Sequence, residues 1–482
     1  MSFGPKSALA ILFALSGMLS SCHDLLEEKP KSVVEENFYN TAEEVQTAVN
    51  AIYIPLRADR AEQIAILDTH TEWGFGRGSR AQYNDFAGFN AANISAASQR
   101  WNSFYLAIRN ANLVIRNAPQ GTDISQEDLS RLVGEARFLR ALAYFDLVRN
   151  WGGVPLRTEQ NIDQKDAPRS SPEEVYQLIV SDLEISVASL PATQPVSGRP
   201  TSHSAKTLLA DVHLTLGEYE EAATLAKEVI DSGQFSLVPV TSKEDFQTKL
   251  FGPDINNTRE EIFYLKYARQ EGQGNYILWI LNHPQTQLFN FGGAYAHYSH
   301  SDITFYENWE DGDLRKTLWY PVEFGLGATT LVSGKYSDRA AISDRGAGND
   351  LPIYRYAEVL LIFAEAESMR SGVPTPESLE ALNQVRRRAF GLDPLAPSEI
   401  DYTLEGYTAE TFRDLVLMER AYEFQFEGKR WLDLKRTGKV AEVIEPQRGV
   451  TIAEAHYLWP IPFEELNLND ALDPSTDQNP GY

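Results

Sequence analysis

Apolar positions recur at intervals of three and four through most of the chain, and their clearest run is Gly134 to Leu156. Ala136, Leu139, Ala143 and Leu147 fall on one side of a helix, and Phe138, Ala141, Phe145 and Val148 on another, before Gly152, Gly153 and Pro155 close it. Apolar cover around most of the axis predicts a helix buried between neighbours. Arg137 and Arg140 interrupt that cover, so carboxylate or carbonyl partners from other helices are expected.

The same periodicity predicts further helices. One opens at the capping box Thr41-Ala42-Glu43-Glu44 and runs through Val45, Val49 and Ile52. Others cover Trp101 to Asn117, Ser171 to before Pro191, Tyr354 to Arg370, Pro376 to Phe390, and Ala409 to Leu434. Arg199 to Gly233 reads as a hairpin turning at Gly217-Glu218-Tyr219, with small residues on its second arm, a spacing that resembles a tetratricopeptide repeat. Such arms need stacked neighbours to cover them.

In two stretches the periodicity disappears. Ile64 to Gln99 carries Trp73, Phe75, Tyr83, Asn84, Phe86, Phe89 and Asn90 with glycines at 74, 76, 78 and 88. Phe251 to Pro352 is rich in Asn, Gly and aromatics, including Tyr276, Trp279, Tyr295, Tyr298, Trp309 and Trp319, and Phe263 to Tyr267 reads as a strand. Long ordered loops in a compact protein are often functional.

At 482 residues and 43% hydrophobic, the chain can bury a large core. A net charge of -25 opposes binding to nucleic-acid phosphate and to anionic lipid heads, and favours cationic or neutral polar ligands. The single cysteine, Cys22, excludes an intramolecular disulfide. It follows one charge, Lys6, the apolar run Ala8 to Leu19, and Ser20-Ser21. That order resembles a signal peptide ending in a bacterial lipobox, with residues 1–21 removed, Cys22 lipidated, and 22–36 serving as tether. Several acyl chains on one residue would hold a soluble body at a bilayer.

These pieces, taken in order, resemble the SusD/RagB family of Bacteroidetes surface lipoproteins. The matching segments are the Cys22 tether, Tyr105 to Asn112, Gly134 to Leu156, and the hairpin after Arg199-Pro200-Thr201. Later come Tyr354 to Leu361 with Ala364-Glu365-Ala366, Asn383 to Arg386, Glu419 to Glu423, Glu427 to Leu434, Trp459 to Pro462, and the terminal Gln478 to Tyr482. The resemblance implies a mostly α, tetratricopeptide-like helical repeat scaffold with long irregular loops and minor β. In one body, 37–482, scaffold segments 37–63, 100–250 and 353–436 would carry a loop-rich ligand side made of 64–99 and 251–352. It further implies an outer-membrane, non-enzymatic protein. Its helical side would sit on a TonB-dependent (SusC-like) transporter, and its loop side would bind an oligosaccharide or, in some members, peptide. The charged residues of the matching motifs, Arg355, Glu358, Glu365, Glu419, Arg420, Glu423, Glu427, Arg430 and Asp433, are expected to pair inside the bundle.

A sugar presents a C–H face to an aromatic ring and hydroxyls to Asn, Asp or Arg. Carrying the family's ligand side onto this chain points to Trp73, Arg77, Tyr83, Asn84 and Asn90 in the first loop, and to Tyr276, Trp279, Tyr295 and Tyr298 in the second. The bland alternative for each ring is cover over the loop's own small core, and for Arg77 and the two Asn a solvated or turn-forming side chain. His297-x-x-His300 is read as part of a solvated loop, since two His without a third fixed ligand do not make a metal site. No HExxH, CxxC, GxSxG or phosphate-loop motif occurs, and no cofactor is called for. Capture of a glycan is therefore expected, against peptide capture, a glycosidase with two chance-spaced carboxylates, or a bare helical scaffold.

Overall fold

A computed structural model describes residues 38–288 and 296–482. The expectations for the leader, for lipidation at Cys22 and for Tyr295 lie outside the described residues.

Helices dominate. Among them are α1 (Ala42–Arg57), α2 (Arg60–Thr69), α3 (Ile94–Asn117), α4 (Gln126–Trp151), α5 (Pro172–Ser189), α6 (Ser202–Leu216), α7 (Tyr219–Asp231), α8 (Ile277–Leu281), α9 (Tyr356–Ser371), α10 (Pro376–Ala389), α11 (Ala409–Glu423), α12 (Arg430–Arg436) and α13 (Val440–Arg448). Packing follows the chain: α1 lies on α3, α3 on α4, α4 on α5, α5 on α6, α6 on α7, and α7 on α9, which also carries α10 and α11. This is the stacking that repeat arms need. The capping box at Thr41 forms with Glu44, and a second one forms at Ser171 with Glu174. Gly217 closes α6 with φ 76°, the left-handed conformation that glycine adopts without Cβ strain.

The long central helix α4 is capped by Ser125 and ends at Trp151, so it begins earlier and stops sooner than the Gly134 to Leu156 reading. Its two arginines are paired as expected. Arg140, 1% exposed, donates to Asp182 on α5 at 2.7 Å and to Asn112 on α3 at 2.6 Å, and Arg137 reaches Asp182 at 2.6 Å.

Three boundaries differ from the sequence reading. The first loop is partly helical: α2 runs to Thr69 and α3 starts at Ile94. Ile64, Ala65, Ile66, Leu67, Asp68 and Thr69 are all buried, and a helix buried on every side has no polar stripe to show a period. Tyr354 and Arg355 belong to strand β6 (Leu351–Arg355), which pairs antiparallel with β2 (Glu261–Leu265), and the helix starts at Tyr356. The span Ala409 to Leu434 is broken between α11 and α12, where Phe426 (φ 58°) and Gly428 (φ 72°) turn the chain back.

The two irregular regions share a small sheet: β1 (Phe75–Gly76) from the first, then β3 (His297–His300), β5 (Thr330–Ser333) and β4 (Trp319–Pro321) from the second. His297 is thus a strand residue, buried against Trp73 and Phe426, and not part of a solvated loop. Its strand neighbours close over it because β3 is held on both edges.

Candidate functional site

The site is built on α8. Ile277, Leu278, Ile280 and Leu281 are buried and fix this short helix. Tyr276 and Trp279 stand three positions apart, which places them on one helical face. Both are half-buried, and their rings stack with centroids 5.0 Å apart and planes at 19°.

Asn275 locks the start of this element. Its Oδ1 accepts from the Ile277 amide at 2.9 Å and its Nδ2 donates to the Asn349 carbonyl at 2.8 Å, while its backbone bridges Ala347. The loop 342–348 is thereby held beside Tyr276. Gly274 permits the approach, because a Cβ there would lie 2.3 Å from the Arg345 carbonyl oxygen. The Arg345 guanidinium sits 4.3 Å from the Tyr276 ring centre.

Two cavities meet at Asp59, Tyr276 and Arg345. The larger, about 730 Å³, is lined also by Arg57, Tyr267 and Gln273. The smaller, about 220 Å³, is lined by Glu62, Arg80, Tyr83, Asn93 and Gln99. The ionisable lining balances: Arg57, Arg60, Arg80 and Arg345 against Asp59, Glu62, Glu271 and Asp344. A chain of net charge -25 therefore presents a locally charge-balanced groove. Arg80 is held by Glu62, with one bond at 3.0 Å. Burial lifts the Tyr276 phenol above its usual range, against the opposing charges of Arg80 and Arg345. Both hydroxyl and rings can meet a polyol, the arginines and Gln273 supplying donors and the carboxylates acceptors.

The structure sorts the sequence candidates into three groups. Tyr276 and Tyr83 line the groove, with Trp279 stacked on Tyr276, although Tyr83 is only 2% exposed and packs on His70 and Phe89. Arg77 and Tyr298 belong to a separate ring cluster on the small sheet. There Tyr298 stacks on Phe75 at 5.5 Å, and Arg77 lies 5.6 Å from the Phe324 ring. The remaining three match the alternative of loop cover and turn-forming side chains. Trp73 is 1% exposed, with Phe426 and Trp319 against its ring, so it is core and offers no face. Asn84 clamps Gly76, accepting from its amide at 2.8 Å and donating to its carbonyl at 2.9 Å. Asn90 forms a turn in which its Oδ1 accepts from Ala92 at 3.0 Å.

Arg57, Arg80, Gln273 and Arg345 were not singled out from sequence. A charged residue in an aperiodic stretch reads as solvated; the signal for Arg345 was its place beside Gly346 and Gly348, where backbone can approach a neighbour closely. Among the described residues no group of three or more His, Cys, Asp or Glu is placed to hold a metal ion. No helix among them is long and apolar enough to cross a membrane.

The fold is a stacked helical scaffold bearing a charge-balanced, ring-edged groove. Residues 24–214 match a family model described as starch-binding, associating with outer membrane, and residues 322–482 match the SusD family model. SusD-like protein P38 of Formosa agariphila is 31% identical over 526 aligned positions, which cover 98% of each chain. SusD-like protein P2 of the same organism is 28% identical over 96% of this chain and 97% of its own. The chain belongs to the SusD family. A SusD homolog from Bacteroides thetaiotaomicron shares the fold with a TM-score of 0.79 at 22% identity, covering 93% of this chain and 98% of that one. Surface glycan-binding protein A of that organism, solved with laminarihexaose, does so with a TM-score of 0.75 at 22% identity, over 91% of this chain and 100% of its own. SusD-like proteins are binding proteins, and the matched family description places them at the outer membrane.

Proposed function

We propose that this protein is a lipid-anchored outer-membrane receptor that captures a neutral oligosaccharide in the Tyr276 groove and passes it, without chemistry, to a TonB-dependent transporter. The observation that carries the reading is the groove itself: two chambers sharing one aromatic edge, with ionic groups in balance on an otherwise acidic protein. Family membership supports a glycan as ligand, as does the laminarihexaose bound by a protein of the same fold. Charge balance favours a neutral chain over a polyanion.

Titration of the full chain with a panel of neutral oligosaccharides and of peptides tests this reading. One glycan series should bind, and Tyr276→Ala should weaken it about tenfold or more, since a ring at the centre of a site contributes disproportionately. Tight peptide binding with no glycan response would reject it. The anchor has its own test: wild-type protein should partition with membranes and carry acyl mass on Cys22, and Cys22→Ala should be released. Soluble wild-type protein with unmodified Cys22 would overturn that part.

A further inference from the structure

Among the described residues, Tyr276, Asp59 and Arg345 alone border both chambers of the groove. Two groups crowd the Tyr276 ring: Trp279 stacks at a 19° angle with centroids 5.0 Å apart, and the Arg345 guanidinium lies 4.3 Å from the ring centre. The Trp279 side is permanent, because that ring is carried on the same helix and packs against the loop-side core. The Arg345 side is not. Its side chain is 63% exposed and its nearest carboxylate oxygen, on Asp59, is 3.8 Å away. An exposed pair at that separation is weak. The adjacent Arg80 differs, being half-buried and gripped by both oxygens of Glu62.

We propose that Arg345 is a displaceable plug on the ligand face of Tyr276, and that a sugar ring must expel its guanidinium to stack there. This inference rests on the reading of the groove as a glycan site. The backbone need not move. Asn275 and Ala347 hold the loop through two amide-to-carbonyl bonds of 2.7 and 3.3 Å, and only the Arg345 side chain has to swing out. The plug weakens stacking: a ligand that lays its C–H face on Tyr276 must first displace a cation–π contact. Apparent affinity falls in proportion to the fraction of molecules whose ring is uncovered. An exposed cation–π contact corresponds to about two- to fivefold in that equilibrium.

The test is Arg345→Ala in the full chain. In ligand-free protein, hydroxyl-radical footprinting read by mass spectrometry should show severalfold faster labelling of Tyr276, while Tyr267 in the same cavity, covered by Arg57 at 4.9 Å, should not change. Laminarihexaose, or whichever neutral oligosaccharide of the panel binds tightest, should bind the variant about two- to fivefold more tightly. Unchanged labelling of Tyr276 overturns the plug. So does equal or weaker binding by the variant, which would make Arg345 neutral or a holding group. If no oligosaccharide binds the wild type or the variant, the glycan reading fails, and the footprinting alone decides whether Arg345 covers the ring.

Discussion

Arg355→Ala should destabilise the protein by about 3–5 kcal/mol, the usual cost of stranding buried charges by removing one partner. Arg355 has no exposed surface, and it binds Glu260 at 2.9 Å, Glu427 at 2.9 Å, the Glu423 carboxylate, and the Glu423 carbonyl at 2.8 Å. Arg388 shares Glu260 and Glu423, Arg315 joins Glu423 to Glu419 and Asp313, and Lys335 meets Glu427. Glu260, Asp313, Arg315 and Lys335 come from the irregular region, Arg355 from the end of β6, and Arg388, Glu419, Glu423 and Glu427 from the last scaffold helices and the turn after α11. The network is therefore the bolt between the loop side and the helices. Against a total stability of about 5–15 kcal/mol, such a loss is severe. A urea midpoint measures it. Arg370→Ala, which removes a surface pair with Glu367, is the control and should cost no more than about 1 kcal/mol.

The same network sets the acid limit. Burial pushes the Glu423 carboxyl up, but Arg388, Arg355 and Arg315 together hold it well below the usual range; Glu427, also pushed up by burial, is lowered by Arg355 and Lys335. A carboxylate with a depressed native pKa contributes stability that is present above its unfolded value and lost as pH falls through the native one. The gap between wild type and Arg355→Ala should therefore narrow as pH drops below the unfolded Glu value of 4.5. A gap that stays constant to pH 3 would remove the network from the acid transition.

Much of the scaffold was legible because its causes are local. Thr41 with Glu44 announces a helix start, and the interruption of an apolar helix by Arg137 and Arg140 announces a buried partner, found at Asp182. The charged residues of the late motifs do pair inside the bundle: Arg420 with Asp433 and Glu358, Arg430 with Glu72, Glu365 with Arg436. What was not legible depends on contacts far apart in sequence. The break after Glu423 follows from carrying Glu427 back to Arg355, 72 positions away. The candidate groove was legible only in part. Aromatic content in an aperiodic stretch points to Tyr276, which lies at a cavity edge, and to Trp73, which is buried, in the same way. A ring in a loop reads identically whether strands from elsewhere cover it, as they do Trp73, or leave it at a cavity edge. The alternating glycines of the first loop have a similar explanation. A Cβ on Gly74 would lie 1.9 Å from the Asp68 carbonyl oxygen, and one on Gly76 2.1 Å from that of Arg80. They let backbone pass backbone, and so set Arg80 and Tyr83 beside the groove.

Trp151→Ala is expected to cost about 3–5 kcal/mol through the cavity it leaves. The side chain is fully buried at the end of α4, with Trp459 at 4.8 Å and Trp101 on α3 at 5.6 Å between ring centres. Its Nε1 donates to the Pro460 carbonyl at 2.9 Å. Asn479 donates to the Trp151 carbonyl at 2.9 Å and to that of Trp459 at 2.6 Å, so the ring is the seat on which the end of the chain is fastened. The fastening extends to the first loop, where the Tyr482 hydroxyl accepts from the Phe89 amide at 2.8 Å and donates to Ala455 at 2.7 Å. Trp151→Phe keeps an aromatic ring but strands the Pro460 carbonyl, and should cost about 1–3 kcal/mol. Denaturant titration of both variants separates ring volume from the hydrogen bond. Limited proteolysis should then cut the alanine variant within residues 449–482 well before the phenylalanine one. Equal cleavage of the two would mean that the hydrogen bond, and not the ring, seats the C-terminal segment.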